Sequence, residues 1–580
     1  MRSFSAVVHC AHKLLSIHWL LHAQPANGRG IVSWLFTSVA LITVGILMPE
    51  TRAQAADAPK FFFVSEYRVH GVHSITSLEV EKAVYPFLGP DRTVDDIHSA
   101  CSALEKAYQA KGFGAASVWA LGRPDKNGLV ALQVSEGAIE RLRVTGARYF
   151  SPEKIKRAAP ALAEGRVINF NDVSRDVVGL NQLGDRTVTP TLRPGSEPGT
   201  YDIDLQVKDS SPFHASVELN NDNSPNTRPL RLTGSVDDSN LWQSGQGAGV
   251  SFEKAPQRHR DSEVFSGYYL ARFAGVDGLT LMVQGTKQDS NISTLGGSTV
   301  AGPGQTLMLR ANYTIPNGED WDTGKAWENF TESINLSLNY KHYNQSINTL
   351  PVASSSSSST ATTATPSTIV TPITYYPLTA GYSALWTGWA GTGSVTALNL
   401  GVTLNLRGAG SGPNQFNLNR YGADGSFVYL RGDLARTQDL PGGWQAYAKI
   451  QGQVANQPLV SSEEYSGGGE STVRGYLESE TVGDDGAFGT VELRTPSLFV
   501  RGKQRSDFRF FAFSDAGKLK LIDPLAEQVA HFSLASVGAG VRLALNNYFS
   551  GACDVADPLT SQTYTQAHDL RFRFRVLLDY

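Results

Sequence analysis

Four histidines, His9, His12, His18 and His22, crowd the start of this 580-residue chain with the residue type and density that a transition-metal site would use. They precede an apolar run, Ile31 to Met48, which is led by Arg29 and followed by the small-x-small sequence Ala53-Gln54-Ala55. That arrangement reads as an export signal over residues 1–55, with the mature chain beginning near Ala56 and the histidines discarded. An uncleaved anchor is the alternative, because the run is as long as a short membrane helix. Ser, His and Asp are plentiful, yet there is no Gly-x-Ser-x-Gly elbow, no His-Glu-x-x-His helix and no Gly-x-x-x-x-Gly-Lys-Ser/Thr phosphate loop. The expectation is therefore no enzyme, no metal and no cofactor. What remains is Gly468-Gly469-Glu470-Ser471-Thr472-Val473-Arg474-Gly475-Tyr476, in a connection too long for an ordinary turn. About forty residues on, a strand carries Phe511, Phe513, Asp515 and Gly517 on one face.

The elements that must position these residues are short and turn often. The 56 glycines are matched by as many aromatics (26 Phe, 21 Tyr, 9 Trp), and only 18% of residues are charged. Such a composition suits strands that meet lipid at aromatic edges. Loss of residues 1–55 removes Arg2, Lys13, Arg29, Arg52 and Glu50, which moves the formal net charge from −4 to −7 and argues against a nucleic-acid partner.

From Phe61 the pattern of strand, helices and strands occurs twice, over residues 61–136 and 137–211. In the first unit Phe63, Tyr67 and Val69 lead to a turn at Gly71, and Ser77 is the expected cap of a helix through Ala83. A second helix, about Asp95 to Lys111, places Ile97, Cys101, Leu104 and Tyr108 on one face, so Cys101 is read as a core thiol. Gly112 ends it, and Ser117 to Leu121 and Leu129 to Val134 form a closing hairpin. The second unit has a strand Ile139 to Val144, a helix after Ser151-Pro152, another from Asn171 to Leu183, and strands Thr187 to Leu192 and Tyr201 to Val207 about a turn at Arg193-Pro194-Gly195.

From 212 to 580 the chain reads as an all-β transmembrane barrel of about sixteen antiparallel strands, centred near 217, 233, 250, 269, 282, 309, 338, 381, 399, 429, 449, 492, 511, 539, 553 and 574. The last strand is the clearest: Phe572, Phe574, Val576, Leu578 and Tyr580 alternate with Arg571, Arg573, Arg575 and Asp579, a lipid face against a wet one. With both ends on the inner side, connections after odd-numbered strands face outward, which makes Ser354 to Thr371 an outer loop. Cys553 then lies in the barrel, remote from Cys101, and no disulfide framework is expected.

The order of the two α/β units, with Leu192-Arg193-Pro194-Gly195 before Tyr201-Asp202-Ile203-Asp204-Leu205, resembles POTRA domains, the polypeptide-binding modules of the Omp85 superfamily. The loop and wall motifs, in this order inside a sixteen-strand pattern, resemble those of the same superfamily. The resemblance implies that an outer loop near 456–486 folds back into the lumen and that Arg474 meets Asp515, through a bidentate grip that lysine does not reproduce. Gly468, Gly469, Val473, Gly475 and Tyr476 would shape and pack the loop, and Phe511, Phe513 and Gly517 its seat. Phe574 and Tyr580 resemble the C-terminal signal read by the barrel assembly machinery.

Two such units before a sixteen-strand barrel resemble the two-partner secretion transporters (the TpsB family, similar to the haemolysin secretion/activation proteins ShlB, FhaC and HecB). The implied partners are an unfolded exoprotein with an N-terminal secretion domain, outer-membrane lipid and, during biogenesis, the assembly machinery. The POTRA-like units would stand in the periplasm and capture the cargo by pairing along an open strand edge. An insertase for outer-membrane proteins is the alternative, although insertases usually carry more POTRA units. Several of these transporters have a plug helix before the first unit; here about five residues separate the expected cleavage site from Phe61.

Overall fold

The computed structural model describes residues 61–273, 278–289, 292–293, 300–301, 303–315, 329–349, 367–388, 392–499, 506–546 and 548–580. The expected export signal lies outside them. Two compact units divide in the chain between Ser210 and Ser211.

In the first α/β domain, helix Ser77–Val84 is capped by Thr76, not by the Ser77 expected. The reason is reciprocity: the Glu79 carboxylate accepts the Thr76 N–H at 3.0 Å while the Thr76 hydroxyl faces the Glu79 N–H, a capping box that needs three residues' spacing. Helix Val94–Ala110 is opened the same way by Thr93 and Asp96 and buries Ile97, Cys101, Leu104 and Tyr108. These pack on a sheet in which Leu129–Ser135 lies between Glu66–His70, parallel to it, and Ser117–Ala120, antiparallel to it. A short strand, Gly89–Arg92, which the sequence reading did not identify, pairs with Phe62–Val64.

The second domain repeats the plan, with Ala138–Thr145 parallel to Thr200–Asp209 and Arg186–Pro194 antiparallel to it. The expected turn at Arg193-Pro194-Gly195 is displaced: Arg193 and Pro194 still pair with Asp202 and Tyr201, and the chain reverses after them. Proline is tolerated there because this is an edge strand, whose outward positions need no donor. Its helix runs Phe170–Leu180, shorter at its C-terminal end than expected, and Asn169 caps it.

Only Glu136 and Gly137 separate the two domains. Glu136 accepts the backbone N–H groups of His73 (2.6 Å) and Ser74 (2.8 Å), the Ser74 hydroxyl (2.7 Å) and the Tyr108 hydroxyl (2.8 Å). Burial alone would push its pKa up, but these bonds outweigh burial and hold it below the usual carboxylate value. Gly137 sits at φ +74°, where a Cβ would press on Ala115. Across the junction, the Phe170 N–H donates to the Gly112 carbonyl at 2.8 Å.

Residues 213–579 close a barrel in which every neighbouring pair is antiparallel. Ser367–Tyr375 and Leu378–Thr387 occupy one position in it, both pairing with the long strand Asn329–Thr349, so the barrel has sixteen strand positions. The break falls at Pro377, which has no N–H to donate. Each of the sixteen expected centres falls inside one of these strands. The outer loop expected over Ser354–Thr371 is corrected at its end, since Ser367 to Thr371 already pair with Gln345 to Thr349. The β-branched run Thr368-Ile369-Val370-Thr371 favours a strand over a solvated loop. Residues 354–366 lie outside the described residues.

Apolar side chains at alternate positions, such as Leu307 and Leu309, or Ile334, Leu336 and Leu338, are exposed on the outer face. Among the described residues no helix is long and apolar enough to cross a membrane. The barrel closes where Arg571–Asp579 pairs with Phe213–Asn220, and Tyr580 extends the closure with two backbone bonds to Ala215, of 2.8 and 3.1 Å.

Candidate functional site

The connection between strands Gln445–Ala455 and Asp485–Arg494 turns into the barrel and carries its own hairpin, Tyr465–Gly467 paired with Thr481–Gly483. Gly468 and Gly469, at φ +103° and +89°, bend the chain at the end of that hairpin; a Cβ on either would collide with the Leu477 carbonyl or the Glu478 carboxylate. The Thr472 hydroxyl accepts the Gly468 N–H at 2.9 Å and closes the bend. Val473, fully buried, packs with Tyr465, Tyr476, Phe488, Leu519 and Leu534.

That packing presents Arg474 to the barrel wall. Its Nε donates to Asp515 Oδ2 at 2.7 Å and its Nη2 to Oδ1 at 2.9 Å, and its backbone N–H reaches Oδ2 at 3.1 Å. Its Nη1 donates to Glu492 Oε2 at 2.9 Å. The guanidinium carbon stands 3.5 Å above the centre of the Phe513 ring, so the cation meets the negative face of the aromatic. Arg474, Asp515 and Glu492 have side chains 5%, 1% and 2% exposed, which removes most of the water that would weaken the pair.

Glu492 also holds Arg494 (2.6 Å) and Arg542 (2.5 Å), and the Arg542 guanidinium lies 4.2 Å over Phe511. Phe511, Phe513 and Asp515 all face the loop, as their period of two requires. Gly517 continues this face; a Cβ there would strike Phe488, which lies across the strand. Gly475, at φ +93°, lets the loop pass Ala556, whose methyl a Cβ would approach to 3.1 Å. The Tyr476 hydroxyl lies 2.7 Å and 3.0 Å from the carbonyl oxygens of Thr560 and Ala535.

The structure thus brings the loop motif and the wall motif together. Phe574 lies on the closing strand Arg571–Asp579, and Tyr580 follows it. The sequence reading missed Glu492, Arg494 and Arg542, although a charged Glu492 between the outward Val491 and Leu493 is the mark of a lumen-facing position. It quoted Glu470 within the loop motif without giving it a partner; Glu470 meets Arg573 of the last strand at 2.8 Å, while Arg573 in turn holds Asp554 at 2.6 Å. The arrangement fastens a loop inside a barrel.

The family model described as haemolysin secretion/activation protein ShlB/FhaC/HecB matches residues 199–543, and that of the POTRA domain, ShlB-type, matches residues 62–137. The outer membrane transporter CdiB of Dickeya dadantii (strain 3937) is 22% identical over 508 residues, 85% of this chain and 82% of its own length. The outer membrane transporter CdiB of Escherichia coli O6:K15:H31 (strain 536 / UPEC) is 23% identical over 188 residues, so the match spans about a third of that relative, 32% of each chain. Among solved structures, CdiB from Escherichia coli aligns with a TM-score of 0.63 at 18% identity, covering 92% of this chain and 93% of that one. BamA from Haemophilus ducreyi lacking POTRA domains 1-3 aligns with a TM-score of 0.50 at 14% identity, covering 90% and 100%. At these identities the two structures show a shared fold.

Proposed function

Since the chain belongs to the haemolysin secretion/activation family of ShlB, FhaC and HecB, outer-membrane transporters of two-partner secretion, we propose that it exports one dedicated exoprotein through its barrel, under control of the inward loop. The observation that carries this reading is the Arg474 grip on Asp515 and Glu492, which keeps the loop inside the barrel instead of leaving it at the surface. A loop held by buried charges has two discrete states, fastened and released, and export depends on passing from one to the other and back.

The α/β domains supply capture. Glu66–His70 and Ala138–Thr145 are edge strands of their sheets, and backbone pairing along such an edge accepts an extended segment of nearly any sequence. The cargo is an exoprotein with an N-terminal secretion domain, held unfolded in the periplasm. Without a phosphate-binding loop in the sequence, the movement draws on no nucleotide hydrolysis by this chain.

The test is to follow the candidate exoprotein in the medium of cells with and without this gene, together with the general outer-membrane protein profile. Loss of the exoprotein with an unchanged profile supports the proposal. A broad fall in barrel proteins points to insertase work and overturns it.

A further inference from the structure

Eleven residues before Arg474, the same loop carries a buried carboxylate, Glu463, with a different set of partners. Its Oε1 lies 2.5 Å from the Lys341 ammonium and accepts the Tyr375 hydroxyl at 2.7 Å; its Oε2 accepts the Tyr429 hydroxyl at 2.9 Å. The Glu463 side chain is 1% exposed, and Tyr343, Tyr375 and Tyr429 around it are buried as well. Ser462 adds a contact of 2.6 Å between its hydroxyl and that of Tyr375. The Glu463 backbone is held too, its carbonyl accepting Gln453 Nε2 at 3.1 Å.

The positions of these partners give the cluster its meaning. Lys341, Tyr375 and Tyr429 belong to the seventh, eighth and tenth strand positions, whereas Glu492 and Asp515 belong to the twelfth and thirteenth. The loop leaves the eleventh strand and enters the twelfth, so its two fastenings reach opposite ways along the wall. Packing supports the first one: Phe416, from the helix Pro413–Asn419, lies edge-on to Tyr375, and Arg420 beyond it faces Glu464 at 3.7 Å.

We infer that Glu463 is a positioning residue for transport, a second latch that works in parallel with Arg474, so that release of either one alone leaves the loop tethered in the barrel. With one latch closed, the other stays at high effective concentration near its seat and re-forms readily. The electrostatics fit a latch that opens as a unit: once Glu463 leaves, Lys341 loses the carboxylate it faces at 2.5 Å, and burial makes that loss expensive. This inference rests on the transport reading for its purpose. The latch itself is tested without cargo.

The experiment measures resting conductance of the purified full chain in planar bilayers for Glu463→Gln, Arg474→Ala and the double variant, each checked for a heat-modifiable folded barrel. Two latches in parallel predict a few-fold rise at most for each single variant, and a double variant more than about tenfold above the larger single effect. If the double variant conducts no more than Arg474→Ala alone, the inference is overturned. Tyr429→Phe, which keeps the ring and deletes one hydroxyl, replaces Glu463→Gln should that variant not assemble. Lys341→Met combined with Glu463→Gln removes both charges. A return of its conductance toward the Glu463→Gln/wild-type midpoint or below marks the ion pair as the latch, and a further rise assigns the effect to packing and overturns it. Because no exoprotein is present, failure here leaves the export proposal standing, and failure of export leaves these conductances to be judged by themselves.

Discussion

Arg474 and Asp515 meet through two parallel N–H···O bonds, of 2.7 and 2.9 Å, and the Arg474 backbone N–H closes on the same carboxylate at 3.1 Å. One aspartate therefore holds both the side chain and the main chain of the loop. Lysine at 474 would keep the charge and the backbone bond but lose the fork and the flat contact with Phe513. The expected result is a graded series in local loosening around residue 474, Arg474→Ala above Arg474→Lys above wild type, read as protease access to residues 468–476 in assembled barrels. For alanine, the stranded Asp515 and Glu492 make the loss about 3–5 kcal/mol of loop fastening. Equal behaviour of the two variants would contradict a role for bidentate geometry.

Gly517 lies beneath Phe488, and Gly475 passes Ala556 in a backbone conformation that side chains rarely adopt. Gly517→Val should displace Phe488 from its cluster with Val473 and Tyr476, at about 1–3 kcal/mol for overpacking. Gly475→Ala combines strain with contact. Both are expected to lower the temperature at which the barrel loses its compact form on a gel, and an unchanged transition would refute the packing described.

Glu136 makes the α/β pair sensitive to acid in a defined direction. Its pKa is lowered in the folded chain from an ordinary value of 4.5, the four hydrogen bonds outweighing burial. A depressed carboxylate stabilises fully above its unfolded pKa, and that contribution fades as pH falls from about 4.5 through the folded value. Glu136→Gln should destabilise the domains at neutral pH and remove part of the decline on acidification below 4.5, measured by limited proteolysis within residues 61–210 of the full chain. A decline identical to wild type would exclude Glu136 as its source.

Tyr580 closes the barrel through its backbone, and Phe572 and Leu578 on the same strand point outward. Deleting Tyr580 removes both bonds to Ala215 and an exposed aromatic ring. The amount of assembled barrel in the outer membrane is expected to fall, as it should for Phe574→Ala, and wild-type amounts for both would dismiss the C-terminal signal.

The strands were legible because a side-chain period of two is written locally: Phe572 to Tyr580 display it within nine residues. The Arg474 and Asp515 motifs were legible through resemblance, being two local phrases in a fixed order. Glu463 and Lys341 were not, since they are separated by 122 residues and meet only after the loop has folded inward. The same holds for Glu492 and Arg542, fifty residues apart. The helix cap expected at Ser77 lies one residue earlier, at Thr76, where a reciprocal bond to Glu79 decides between adjacent hydroxyls. Ser367 to Thr371 were misread because Ser367, Thr368 and Thr371 continue the composition of the preceding residues, and the boundary at Pro366 and the Ile369-Val370 pair were given too little weight.

The most direct test of the account is export by cells carrying Arg474→Ala, with the barrel shown to be folded and present at wild-type amount. The account predicts that the exoprotein fails to reach the medium at the wild-type level while other outer-membrane proteins are unaffected. Wild-type export through an assembled Arg474→Ala barrel would contradict the claim that this loop, fastened to Asp515 and Glu492, governs passage.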